Sequence, residues 1–143
     1  LSDQVRCEVE DGVMTVRIER EERRNVLSIE LMQELTRIAS ALHDDGDVRA
    51  VILTAAGRNF SAGVDLKDPR RWDLDDASLA TRRAFPKIGE RMCEAWEDIP
   101  VVTICAIEGH CVGGGAALAI CADFRVLGES AYMRFPEVAL GLP

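Results

Sequence analysis

The chain lacks the marks of several large protein classes. Its 143 residues contain no apolar run long enough to span a membrane and no signal-peptide pattern. Basic residues are in the minority, and the formal net charge is −8. Nucleic acid and acidic membrane both call for a basic surface, so neither is expected as a general partner. There is no long internal repeat and no low-complexity tract. Five cysteines stand at positions 7, 93, 105, 111 and 121 with no Cys-x-x-Cys spacing. An odd count without that spacing argues against a disulfide framework and a zinc site, and no metal site is expected. Four of the five lie in or beside apolar runs, where a free cysteine acts as a small core residue. A reducing cytoplasm is the expected compartment.

Apolar residues make up 48% of the chain, enough for one domain with a core. Two alternating runs, Val5–Glu10 and Val13–Glu19, flank Asp11-Gly12, a strong hairpin signal. Ser28 is placed as an N-cap, with Leu27 and Met32 as a hydrophobic staple. Leu31, Leu35, Ile38 and Leu42 then recur at helical spacing, so a helix is predicted from about Ile29 to His43. Ala50–Thr54 reads as a short strand. The charged stretch Lys67–Ala80 is expected to be mobile, with little core. Thr81–Asp98 places Phe85, Ile88, Met92 and Trp96 near a helical period, with Pro86 in its first turn. Val101–Ile107 is predicted as a strand, Gly115–Cys121 as a buried helix and Phe124–Leu127 as a strand. The order fits an α/β core.

The most informative stretch is Cys111-Val112-Gly113-Gly114-Gly115-Ala116-Ala117-Leu118. Three glycines at a strand-to-helix junction let the backbone approach a ligand closely. The first turn of a helix leaves free N–H groups and a positive dipole end, which together stabilise an anion. A phosphate loop would need Lys and Ser or Thr after the glycines, and none follows. The dinucleotide spacing Gly-x-Gly-x-x-Gly is also absent. The other candidate anion is an oxyanion formed from a carbonyl, which needs two converging N–H donors. A second glycine turn, Asn59-Phe60-Ser61-Ala62-Gly63-Val64-Asp65-Leu66, follows the strand at 50–54. On the glycine turns alone, two tight connections and a donor pair remain equally open.

Phe60-Ser61-Ala62-Gly63-Val64-Asp65-Leu66 and Gly109-His110-Cys111-Val112-Gly113-Gly114-Gly115 resemble the two signature segments of the crotonase superfamily, the enoyl-CoA hydratase/isomerase proteins. Three further segments resemble that family in the same order. They are Arg20–Leu27, similar to its first CoA-binding loop, Cys121-Ala122-Asp123-Phe124-Arg125, and Phe135-Pro136-Glu137-Val138 with Gly141-Leu142-Pro143. The resemblance covers nearly the whole chain. It implies a crotonase-like spiral of ββα units and a single acyl-CoA-binding core over residues 1–143, cut short on its C-terminal side. The chain starts at Leu1 rather than Met and stops at Pro143 just after a motif, and members of the family are longer, so a fragment is expected, without the rest of the spiral core and the C-terminal helices that help form the family's trimer. The resemblance further implies a homo-oligomer, trimer or hexamer.

Residue by residue, the resemblance implies that the backbone N–H groups of Val64 and Gly114 stabilise a thioester enolate. It makes Glu137 the acid/base, and a carboxylate beside an apolar run such as Val138–Leu140 suits proton transfer near neutral pH. For CoA it points to Arg23, Arg24, Val26, Ala62, Asp65 and Lys67. The cations suit phosphates, although Arg23 and Arg24 also fit a solvated mixed-charge loop and Asp65 a turn cap. No cofactor is expected apart from CoA carried in the substrate thioester. His110 reads as structural. Ser61 is no nucleophile elbow, because Asn59 stands where that motif needs glycine. This disfavours a serine peptidase of related spiral fold. Trp72 and Trp96 read as a pocket lid and a core residue.

One departure from the family pattern decides the expected reaction. Hydratases of the family carry a glutamate three residues after the middle glycine, where this chain has Ala117. Two carboxylates can activate a water, whereas one can take a proton from one carbon and return it to another. Isomerisation of an enoyl-CoA double bond with Glu137 as the single base is therefore favoured. Hydration and a catalytically weak acyl-CoA-binding subunit are the alternatives. Dienoyl-CoA isomerases look similar around Ala62–Leu66, yet their acidic residue at position 117 is missing too.

Overall fold

A computed structural model describes residues 3–71, 78–84, 86–137, 139 and 141. The expected hairpin opens it. Strands β1 (Val5–Glu10) and β2 (Val13–Ile18) pair antiparallel, with Val5 opposite Ile18 and Glu10 opposite Val13. Two residues remain for the turn, and both take positive φ, Asp11 at 50° and Gly12 at 79°. A right-twisted two-residue hairpin requires that backbone.

Helix α1 (Ile29–Ala41) follows. Ser28 caps it as predicted, its Oγ accepting the Leu31 N–H at 3.1 Å. A carboxylate adds a second cap from outside the helix: Asp68 Oδ2 accepts the Ile29 N–H at 3.0 Å. Leu31, Leu35, Ile38 and Leu42 are all buried. The helix ends at Ala41, two residues short of the expected His43. Strand β3 (Ala50–Ala55) then runs parallel to β2.

The predicted single helix over 81–98 is two helices, α2 (Leu79–Ala84) and α3 (Lys87–Glu97), with Pro86 as the N-cap of the second. Proline has no N–H to continue a helical ladder and disfavours helical geometry in the residue before it, so the first helix stops short of it. Phe85 lies outside the described residues, as does Trp72. Trp96 is core as expected: it is fully buried, and its Nε1–H donates to Leu35 O at 3.2 Å, tying α3 to α1.

The remaining elements are β4 (Val102–Ile107), β5 (His110–Val112), α4 (Gly114–Ile120), β6 (Phe124–Leu127) and β7 (Tyr132–Arg134). The main sheet has the order β1-β2-β3-β4-β6, parallel from β2 onward. Alternation along β3 and β4 sends Val51, Leu53, Cys105 and Ile107 into the core. Strands β5 and β7 form a separate parallel pair, with His110 opposite Tyr132 and Val112 opposite Arg134. That small sheet is absent from the sequence reading.

All five cysteines are free. Cys105 and Cys111 are buried and the other three are half-buried. Burial pushes the Cys111 thiol up to about 12 and raises the Cys105 thiol as well, which suits inert core residues. Among the described residues, no helix is long and apolar enough to cross a membrane. The expectation of a loose segment at 67–80 needs correction at its start: Asp68 is buried and 69–71 form a short 3-10 turn. Residues 72–77 lie outside the described residues.

Candidate active site

The loop at 20–26 is built by its polar groups. The Arg20 N–H donates to Asn25 Oδ1 at 2.9 Å, and Arg20 Nη1–H donates to Val26 O at 2.6 Å. Asn25 is fully buried, its Nδ2 donating to Ala56 O at 2.8 Å and Asn59 O at 2.7 Å. Arg24 and Asn25 hold left-handed φ values of 54° and 52°. Such a backbone costs a non-glycine residue about 1–2 kcal/mol, and these hydrogen bonds offset it.

The same loop is zipped onto the turn at 61–65. Ala62 N–H donates to Arg24 O at 3.0 Å, Leu27 N–H to Gly63 O at 2.7 Å and Asp65 N–H to Leu27 O at 2.8 Å. The buried Asp65 carboxylate meets Arg23 Nη2 at 3.1 Å and Arg20 Nη2 at 3.5 Å, and accepts the Lys67 N–H at 3.0 Å. Together these contacts wall a cavity of about 440 Å³. Arg23, Arg24, Val26, Ala62, Asp65 and Lys67, the whole set expected to hold CoA, line it, and so does Val64. Asp65 lies in that wall with its oxygens engaged, which makes it a brace for the cations and a turn cap together.

Sequence reasoning missed Arg20, Asn25 and Asp68. Within Arg-Glu-Glu-Arg-Arg-Asn nothing marks which arginine is buried, and Asp68 looks like one more surface charge beside Lys67. Burial would raise the Asp68 carboxyl, but the Ile29 and Arg70 N–H groups and the Arg70 guanidinium outweigh it and hold the group below the usual carboxylate range.

Val64 and Gly114 stand on facing turns. A side-chain carbon on Gly114 would lie 2.7 Å from Val64 Cγ2 and 3.6 Å from Val64 N. One on Gly63 would lie 3.7 Å from Gly114 N and 2.9 Å from Val112 O. Only glycine lets these backbones come so close. Ser61 holds them in register: its N–H donates to His110 O at 2.9 Å, its carbonyl accepts the Val112 N–H at 3.0 Å, and its Oγ accepts the Gly63 N–H at 3.1 Å. Among the described residues, neither the Val64 nor the Gly114 N–H donates a hydrogen bond. Two unengaged backbone donors therefore stand on turns in close contact.

Glu137 also reaches this turn. It is half-buried, and its Oε2 is buried without a hydrogen-bond partner among the described residues. Its Oε1 would stand 2.7 Å from a side-chain carbon on Gly113. Val138 and Leu140, the apolar neighbours expected beside it, lie outside the described residues. Ala117 sits one turn into α4, its N–H donating to Gly113 O at 2.9 Å, and brings no second carboxylate. His110 is exposed, its ring 4.9 Å from that of Tyr132, and its N–H donates to Asn59 Oδ1 at 3.2 Å. This fits its structural reading.

The sequence model of the enoyl-CoA hydratase/isomerase family matches residues 8–143. The chain belongs to that family. It is 35% identical over 132 residues to a probable enoyl-CoA hydratase of Mycobacterium tuberculosis, covering 92% of this chain and 50% of that protein. It is 34% identical over 140 residues to an enoyl-CoA isomerase/hydratase of Mycosarcoma maydis, covering 92% and 49%. Among solved structures it superimposes on an enoyl-CoA hydratase/isomerase from Xanthobacter autotrophicus with a TM-score of 0.88 and 29% identity, covering 99% of this chain and 52% of that one. The chain spans about half the length of the relatives it matches. The fold is thus the crotonase fold that the five sequence segments imply, and in this family member the two signature segments are the two facing glycine turns.

Proposed function

We propose that the protein binds an acyl-CoA in the cavity walled by Arg23, Arg24 and Lys67 and isomerises the double bond of an enoyl-CoA thioester. In this reading the Val64 and Gly114 N–H groups receive the thioester oxygen. Glu137 takes the proton from the carbon beside the carbonyl, and the C–H electron pair passes into the enolate. The two donors stabilise the negative charge as it develops, and each such donor is typically worth about 10²–10³ in rate. Glu137 then returns the proton to a carbon further along the conjugated system. Atoms and electrons balance with no other reactant, and CoA enters only as part of the substrate.

One observation carries the choice of reaction: among the described residues, Glu137 is the one carboxylate that reaches the glycine turn, and Ala117 stands where a second would be. Hydration is the second reading, supported by the name of the Mycobacterium tuberculosis relative. A homo-oligomer in a reducing cytoplasm, suited to five free cysteines, completes the proposal. Calorimetry with a matched acyl-CoA and free acid tests the binding half. The acyl-CoA should bind more tightly, and equal or absent binding contradicts it. Glu137→Gln tests the chemical half.

A further inference from the structure

Gly113 has no part in the proton transfer, yet it touches the group that carries it. It joins β5 to α4 with φ 54° and ψ −123°, and its N–H donates to Arg134 O at 2.8 Å. That bond extends the β5–β7 pairing to the residue just before Gly114. A side-chain carbon at 113 would lie 2.7 Å from Glu137 Oε1, 3.7 Å from Glu137 Cδ and 4.0 Å from Pro136 Cδ. The carboxylate therefore occupies the volume that a side chain at 113 would fill. Among the described residues, no ion pair reaches Glu137 and its Oε2 has no hydrogen-bond partner. Buried polar atoms are nearly always hydrogen-bonded, so packing and the strand pair are what remain to aim this one.

We infer that Gly113 is a positioning residue for Glu137. Its missing side chain lets the carboxylate rest on the backbone one residue before the Gly114 donor, and its N–H ties the chain that bears Glu137 to the glycine turn. The inference rests on the reading of Glu137 as the base.

The test is a double-mutant cycle in the protein with Gly113→Ala and Glu137→Ala, singly and together. The readouts are deuterium uptake from heavy water beside the carbonyl of a saturated acyl-CoA, acyl-CoA affinity and the melting midpoint. Gly113→Ala should lower uptake by about 10²-fold, the scale of a misplacement near 1 Å, with affinity within a few-fold of the parent. In the Glu137→Ala background it should lower uptake no further. An equal loss in both backgrounds, or no loss in the parent, overturns the inference. Alanine at φ 54° is strained whatever the space around it, so the melting midpoint is compared across the cycle: a smaller drop on Gly113→Ala in the Glu137→Ala background than in the parent supports the contact, and an equal drop overturns it. Glu137→Ala with parental uptake removes the base assignment itself, and the inference falls with it.

Discussion

The Arg20–Lys67 wall and the Gly113–Glu137 turn differ in where their polar groups go. In the wall the buried polar side chains are engaged. Arg20 serves Val26 and Asp65, Asn25 holds two carbonyls, and Asp65 meets two guanidinium groups and a backbone N–H. At the turn the Val64 and Gly114 N–H groups and Glu137 Oε2 are left without partners among the described residues. A satisfied network is rigid, and that suits a surface whose task is to hold one shape. Unengaged donors and an unengaged carboxylate suit a place that completes its hydrogen bonds only with a ligand. Val64 links the two regions: it lines the cavity and presents its N–H beside Gly114.

Glu137→Gln keeps shape and removes the base. Turnover of the best enoyl-CoA should fall by about 10²–10⁴, while acyl-CoA affinity measured by calorimetry stays near that of the parent. Parental turnover would reduce Glu137 to a loop residue. In the wall, Asp65→Asn leaves the Arg20 guanidinium buried without its counter-charge. Stability should fall by about 3 kcal/mol, read as a drop of roughly 10 °C in the melting midpoint. Affinity for CoA should fall with it as Arg23 is released.

A smaller effect sharpens the same contrast at the rim of the wall. Asp68 has a folded-state pKa below its unfolded value, so its contribution is complete above about pH 4 and is lost as pH falls through the folded value. Asp68→Asn should therefore destabilise the protein near neutrality, by about 0.5–1 kcal/mol for a charge at a helix N-terminus. The gap between parent and variant melting midpoints should close on acidification below pH 4, and a gap that persists there contradicts the assignment. The smallest effect is expected from Ala117→Glu. It adds a carboxylate one turn from Gly114 and should raise water addition to a short enoyl-CoA modestly, since the space is shaped around a methyl group. A folded, CoA-binding variant with no gain means that position 117 does not set the reaction.

What could be read from the chain follows how local each signal is. The Asp11-Gly12 turn and the Ser28 cap depend on neighbouring residues, and both form as predicted. The motifs likewise carried the glycine turns and the cavity residues, because each segment is contiguous. Apolar spacing runs through Pro86, so periodicity suggests one helix where a ring without an N–H starts a second. The β5–β7 pair joins strands of three residues about twenty positions apart, too short for any periodicity. For the same reason the placement of Glu137 against Gly113 had no sequence signature. Arg20 and Asn25 were hidden in a run of charge, where composition suggests solvent and only tertiary contacts reveal burial.

With Glu137 beside the Val64 and Gly114 N–H groups, the protein is proposed to move protons between carbons rather than add water. This is tested most directly by incubating the protein with a 3-enoyl-CoA in heavy water and resolving the products by mass spectrometry. The account predicts the conjugated 2-enoyl-CoA, with deuterium incorporated in the acyl chain and little 3-hydroxyacyl-CoA, and loss of this product in Glu137→Gln. Efficient conversion of 2-enoyl-CoA to 3-hydroxyacyl-CoA by the parent, with no shift of the double bond in the 3-enoyl substrate, would contradict it.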